Sequence, residues 1–294
     1  MNSVSTGKVV VLVAALLALA LAAAGLVLVL ADSATTSARP VNEAQQVAAP
    51  PASAAETKRV PVPGKRLATD SPLYRTGRLT DVNCTPGPLP AGSITAYRRF
   101  LLRVTTCLNR AWAAQFRKAG MPFSKPRLRI ITGRVRTPCG AWNTGADGVY
   151  CSTDRTMYLM ISRDQLRNPF PLGITRLIAH EYGHHVQQIS GIWSYYWTAR
   201  ASAGKAGRLL LSRRSELQAE CLSSIFMSTM RDTPLVTDAD WAYTVDWFRK
   251  NGAKGWPQND HGRGPTQAAW MTRGFNRGTP AACNTWSAPT RNVT

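Results

Sequence analysis

His180-Glu181-Tyr182-Gly183-His184-His185 gathers three of the four histidines of this 294-residue chain into six consecutive positions. Its first five residues follow the pattern H-E-x-x-H. A helix turns about 100° per residue, so His180 and His184 project only about 40° apart and can share one tetrahedral Zn²⁺. Glu181 lies to the side of that pair, within reach of a water on the metal, which makes it the candidate general base. His185 stands about 140° around from His180, so it is expected to play a structural or supporting part instead of binding the same ion.

The residues before the motif supply the helix it needs. Ile174, Leu177 and Ile178 form an apolar stripe leading into it, and Gly191 is a natural stop after Val186. Two histidines do not complete a catalytic site, which normally has three protein ligands and an open position. Gln187 and Ser190 stand where the longer metzincin pattern needs glycine and histidine, so that class is excluded. The third ligand is expected from a second helix around Ser215-Glu216-Leu217-Gln218-Ala219-Glu220-Cys221. Glu216 and Glu220 are four apart and share a face. One is then a ligand and the other a hydrogen-bond acceptor for a liganding imidazole. Spacing alone allows either order.

These residues resemble the bacterial neutral zinc metallopeptidase family of predicted proteases. Thr137-Pro138-Cys139-Gly140-Ala141, then Gly148, Cys151 and Asp154, are similar to a second block of that family. His261-Gly262, Gln267, Trp270, Gly274, Gly278 and Cys283 are similar to a third. The likeness runs over about residues 135–286, weakening back towards Pro72. Two positions depart from the pattern: Glu220 stands where the family usually has aspartate, and Ala268 where it usually has arginine. The resemblance implies a zincin-like, gluzincin-like α+β domain, mostly helical with a small sheet, and Zn²⁺ as cofactor. It also implies Glu216 as the ligand and Glu220 as the residue behind a histidine. His261 falls in a block that could close over the site. There it either donates to the oxyanion of the reaction, occupies the open metal position in a latent state, or simply belongs to an Asp260-His261-Gly262 turn.

Residues 9–31 are an unbroken apolar run, spanning roughly 34 Å as a helix, enough to cross a bilayer. Residues 1–31 are read as a signal anchor or a cleaved signal peptide, with everything beyond them exported. Residues 32–70, rich in Ala, Pro, Ser and Thr, are expected to be an extended linker. Residues 71–294 are expected to form one domain. All six cysteines lie beyond the apolar run, and an even count in an exported chain suggests disulfides. Local spacing suggests Cys84–Cys107, Cys139–Cys151 and Cys221–Cys283.

The chain carries a net charge of +20, with no acidic residue between Asp81 and Asp147. A helix over 94–118 is predicted from the core stripe Tyr97, Leu101, Val104, Leu108, Ala111 and Trp112, with Arg99, Arg103, Arg110 and Arg117 off that stripe. Such a face suits anionic cell-envelope polymers or lipid headgroups. No nucleic-acid module is present, and no specific nucleic acid is expected as a partner. After that helix come a strand at 127–132, a cysteine-bracketed loop at 137–151, a strand at 157–162 and the two metal-site helices. A further helix at 239–250 follows. The 157–162 strand is the expected open edge for an extended substrate. Two function classes remain: a membrane-tethered or secreted zinc endopeptidase acting on peptides or proteins, and a non-catalytic basic envelope protein with a structural or relic zinc. Retention of Glu181 favours the enzyme, because a structural zinc needs no base.

Overall fold

The computed structural model describes residues 64–142 and 145–294. The expected membrane helix and most of the expected linker lie outside these residues. Among the described residues no helix is long and apolar enough to cross a membrane. The linker expectation needs one correction. Helix α1 (Gly64–Thr69) begins directly after Pro63, packs against helix α5 introduced below, and has its Thr69 carbonyl bonded by Asn284 Nδ2 at 2.9 Å. Residues 64–70 therefore belong with the folded domain and not with the linker, because proline blocks a helix interior but not the residue before its start.

Helix α2 (Ile94–Lys118) is as its periodicity predicts. Ser93 caps it, its Oγ accepting the Ala96 N–H at 3.2 Å, a cap worth about 1 kcal/mol. Its stripe of Tyr97, Leu101, Val104, Leu108, Ala111 and Trp112 is buried, joined by Phe100 and Phe116. A disulfide from Cys84 to Cys107 ties the preceding non-helical segment to its middle.

Strand β1 (Arg127–Ile131), the short hairpin β2 (Arg136–Thr137) and β3 (Gly140–Ala141), β4 (Gly148–Cys151) and β5 (Thr156–Met160) follow. The main sheet has the order β1-β5-β4, with β1 parallel and β4 antiparallel to β5. This corrects the expected substrate edge. The 157–162 strand is central, flanked on both sides, and the strand beside the active helix is β4, which lies within the stretch read as a loop. β4 is short and follows a glycine-rich turn, so alternation in the sequence had little length in which to show. Gly148 and Tyr150 face the active helix. Val149 and Cys151 face a small separate core with Cys139, Trp142 and Tyr158, closed by the Cys139–Cys151 disulfide.

Helix α3 (Arg163–Arg167) leads into α4 (Pro171–Ile189), which carries the H-E-x-x-H motif. After Gly191 come α5 (Ile192–Ser202) and then α6 (Lys205–Met227), the helix of Glu216 and Glu220. Helices α7 (Asp238–Asn251) and α8 (Gly264–Arg277) complete the domain. α5 and α8 were not anticipated as helices. α4 and α6 pack side by side. They come close at Gly183, where an added Cβ would sit 3.0 Å from the Ala219 backbone. The glycine inside the motif is thus a point at which the two metal-site helices touch. The third disulfide, Cys221–Cys283, joins α6 to the turn after α8.

Candidate metal centre

One turn of α4 and one turn of α6 face each other. On α4, His180 and His184 are buried with ring centroids 4.9 Å apart. On α6, Glu216 points its Oε2 to His180 Nε2 at 3.3 Å and to His184 Nε2 at 3.2 Å. These three residues form a compact group of potential metal ligands, their donor atoms all within 4.8 Å of one another. Donors about 2.0–2.1 Å from one tetrahedral zinc are separated by roughly 3.3 Å, so the nitrogen–oxygen spacings suit such an ion.

The other ring nitrogen of each histidine is occupied. His180 Nδ1 lies 3.1 Å from Glu220 Oε2, and His184 Nδ1 lies 2.9 Å from Gln187 Oε1. An acceptor at Nδ1 sets the tautomer that leaves the Nε2 lone pair free for a metal. The roles left open by spacing are therefore separated in space: Glu216 faces the Nε2 side of both rings, and Glu220 stands behind His180. Gln187 is held in turn, its Nε2 donating to the Ser215 carbonyl at 2.8 Å and to Gln218 Oε1 at 3.0 Å. Trp193 flanks His184 with a centroid separation of 5.3 Å.

The electrostatics also favour a cation. Burial opposes charge on His180, but Glu216 and Glu220 more than offset it and raise its pKa. Burial likewise opposes ionised Glu216, yet His184, His261 and His180 hold it well below the usual carboxylate range. Three carboxylates, of Glu181, Glu216 and Glu220, face this centre with Arg176 as their one nearby guanidinium partner among the described ion pairs. Positive charge between the histidines relieves that excess.

Glu181 is buried and turns towards β4. A Cβ on Gly148 would stand 3.0 Å from Glu181 Cγ and 3.1 Å from its Oε1, so a side chain here would crowd the carboxylate. His185 points elsewhere. Its Nε2 donates to the Ser124 carbonyl at 2.7 Å and its Nδ1 meets Tyr150 Oη at 3.0 Å. Burial lowers its pKa to about 4. It is a neutral brace between α4, β4 and the loop before β1.

His261 reaches the centre from the loop between α7 and α8. Its Nε2 lies 3.4 Å from Glu216 Oε2, although it stands outside the compact three-residue group. Its Nδ1 is 2.9 Å from Asp260 Oδ1, and Trp256 stacks flat on its ring at 3.5 Å and 9°. Gly262 has φ +84°, so the turn expected from the sequence is present as well, but it aims the imidazole inward. Gln267 braces both ends of this loop, donating to the carbonyls of Gly252 at 3.1 Å and Gly262 at 2.7 Å. Ala268, the departure from the family pattern, is buried in the core. Sequence reasoning missed Asp260, Trp256, Gln187 and Arg176 as neighbours of the site. Only the spacings of Arg176 and Gln187, one turn from each histidine, carried any signal.

The family described as "Putative neutral zinc metallopeptidase" matches residues 93–286. The chain is similar to Uncharacterized protein YpfJ of Escherichia coli K12, 32% identical over 190 residues, covering 60% of this chain and 66% of that protein. It is also similar to Uncharacterized protein Rv2575 of Mycobacterium tuberculosis H37Rv, 27% identical over 195 residues, covering 56% and 64%. The chain thus spans slightly less than two thirds of the length of these relatives. No solved structure matches it.

Proposed function

The chain belongs to the neutral zinc metallopeptidase family, and from that premise we propose that it is an exported, zinc-dependent endopeptidase. The observation that carries this reading is the convergence of His180 Nε2 and His184 Nε2 on Glu216 Oε2, with Glu181 beside them against Gly148 of β4. His180, His184 and Glu216 would hold the ion. When bound, zinc supplies Lewis acidity that brings the pKa of an open-position water towards about 7. Glu181 takes the proton of the attacking water and delivers it to the leaving amine. His261, held at Nδ1 by Asp260, donates from Nε2 to the oxyanion that develops on the scissile carbonyl. This role suits an imidazole beside the ligand group better than a place inside it.

Substrate alignment follows from the sheet. In the β4–β5 pair, Asp147 already bonds Met160 at 2.8 Å, so alternation turns the N–H and C=O of Gly148 and Tyr150 away from β5. An extended peptide can add along that side, with its scissile bond near Glu181. Three disulfides support an extracytoplasmic setting, with residues 9–31 as membrane anchor or signal. The exposed Arg99, Arg103, Arg110 and Arg117 of α2, a helix without acidic residues, support anionic envelope polymers as neighbours. The test uses full-length protein: zinc content by mass spectrometry and cleavage of an unfolded protein substrate, compared with Glu181→Gln. Cleavage that is lost in the variant with zinc retained is expected. Equal cleavage by both proteins would remove Glu181 from the mechanism.

A further inference from the structure

Arg176 lies one turn before His180 on α4, and no part of the proposed mechanism uses it. Its side chain is 12% exposed, and its Nη1 contacts Glu220 Oε2. That same oxygen is the one 3.1 Å from His180 Nδ1. On its far side the guanidinium carbon sits 4.4 Å from the centroid of Phe248, which α7 contributes. Glu220 is 6% exposed, and its second oxygen, Oε1, has no hydrogen-bond partner. The whole hold on this buried carboxylate therefore passes through one oxygen, shared by Arg176 and His180.

From this arrangement we infer that Arg176 is a positioning residue that sets metal affinity through Glu220 and His180. The inference rests on the reading of His180 as a metal ligand. Glu220 has a flexible side chain and sits one turn from Glu216 on the same helix face. Without a fixed partner it could turn its carboxylate away from His180, leaving Nδ1 without an acceptor and the Nε2 lone pair unspecified. Arg176 is a fixed cation that holds Glu220 on the Nδ1 side. Phe248 covers the far side of the guanidinium, and both side chains of the pair are largely buried, which strengthens the interaction. Because α7 also leads into the loop of His261, the same contact ties the two halves of the site together. The geometry accounts for a glutamate at 220: it spans both His180 on its own flank of α4 and Arg176 a turn earlier.

The test is zinc affinity of the full-length protein, measured by competition with a chromophoric chelator, with circular dichroism as the check on folding. Loss of an outer partner of a ligating histidine typically costs about 10–100-fold in metal affinity. Arg176→Gln is expected to weaken zinc by about tenfold, and Arg176→Lys, which keeps the charge, to stay close to wild type. In a Glu220→Gln background, Arg176→Gln should have no further effect. Equal affinities for the Lys and Gln variants, or an undiminished effect of Arg176→Gln without the Glu220 carboxylate, would overturn the inference. Should Arg176→Gln not fold, Phe248→Leu gives the second reading, with weaker zinc binding expected and wild-type affinity counting against the relay. A wild-type protein that binds no zinc would overturn both this inference and the proposed function. The expected affinity pattern without any peptide cleavage would count against the proposed activity alone.

Discussion

His180 and His184 on one side, and His261 on the other, present the same chemical group to one point by two different routes. The α4 pair is held by helix geometry: two rings a turn apart, each with an acceptor behind it in Glu220 or Gln187, against a partner helix in contact at Gly183. His261 has no such repeat. Its aim depends on the Asp260 carboxylate, a flat stack on Trp256 and the two bonds by which Gln267 closes its loop. The first arrangement is rigid, as a metal site requires. The second is a loop pinned at a few points, which suits a group that must meet charge as it develops during reaction. On the proposed function, ion binding and stabilisation of the transition state fall to separate pieces of the chain.

The most damaging change to this division is Glu216→Ala. With only two imidazoles left, zinc should be lost and activity should fall to background; elemental analysis checks it. If Glu220→Ala strips the metal while Glu216→Ala does not, the roles of the two glutamates are reversed. Glu181→Gln comes next. Its kcat should fall by about 10²–10⁴-fold with zinc retained, because the change removes proton transfer and not ligation. His261→Ala addresses the loop half alone, and a fall in kcat of roughly 10²-fold at unchanged zinc content is expected. Loss of zinc in this variant would make the loop part of the metal site and erase the distinction. A rise in activity would indicate a latent state, and unchanged kinetics with slightly lower stability would leave only a turn. The mildest effect on chemistry is expected from replacing Cys221 and Cys283 by alanine. That disulfide closes a stretch with a sequence separation of 62 residues that includes the His261 loop. Its removal should cost roughly 4 kcal/mol of stability in urea unfolding, with zinc still bound by the folded fraction.

Much of the site was legible before any coordinates, but unevenly. α2 could be read from its stripe because 25 residues repeat one pattern. The three cysteine pairs followed local spacing. β4 could not be read, since four residues are too few for alternation to declare itself and the cysteines around it suggested a loop. Placing the open edge on β5 followed from that omission. α1 was hidden behind prolines that end directly before it. The Asp260-His261-Gly262 turn was read correctly as a turn, yet a turn signal contains no direction, so the inward aim of His261 was suggested by the family resemblance alone.

What the sequence determined by itself was everything that depends on the 3.6-residue period over a turn or two: that His180 and His184 share a face, that Glu181 lies beside them, that His185 does not, and that Glu216 and Glu220 project together. The packing of the two helices supplies the rest: Glu216 faces the Nε2 atoms of both histidines and Glu220 stands behind His180. A turn of helix separates them by about 5.4 Å along one axis, so the answer is the axial register of α6 against α4. That register is fixed by contacts such as Gly183 against Ala219 and Arg176 with Glu220. These contacts join residues far apart in the chain, and no local period encodes them.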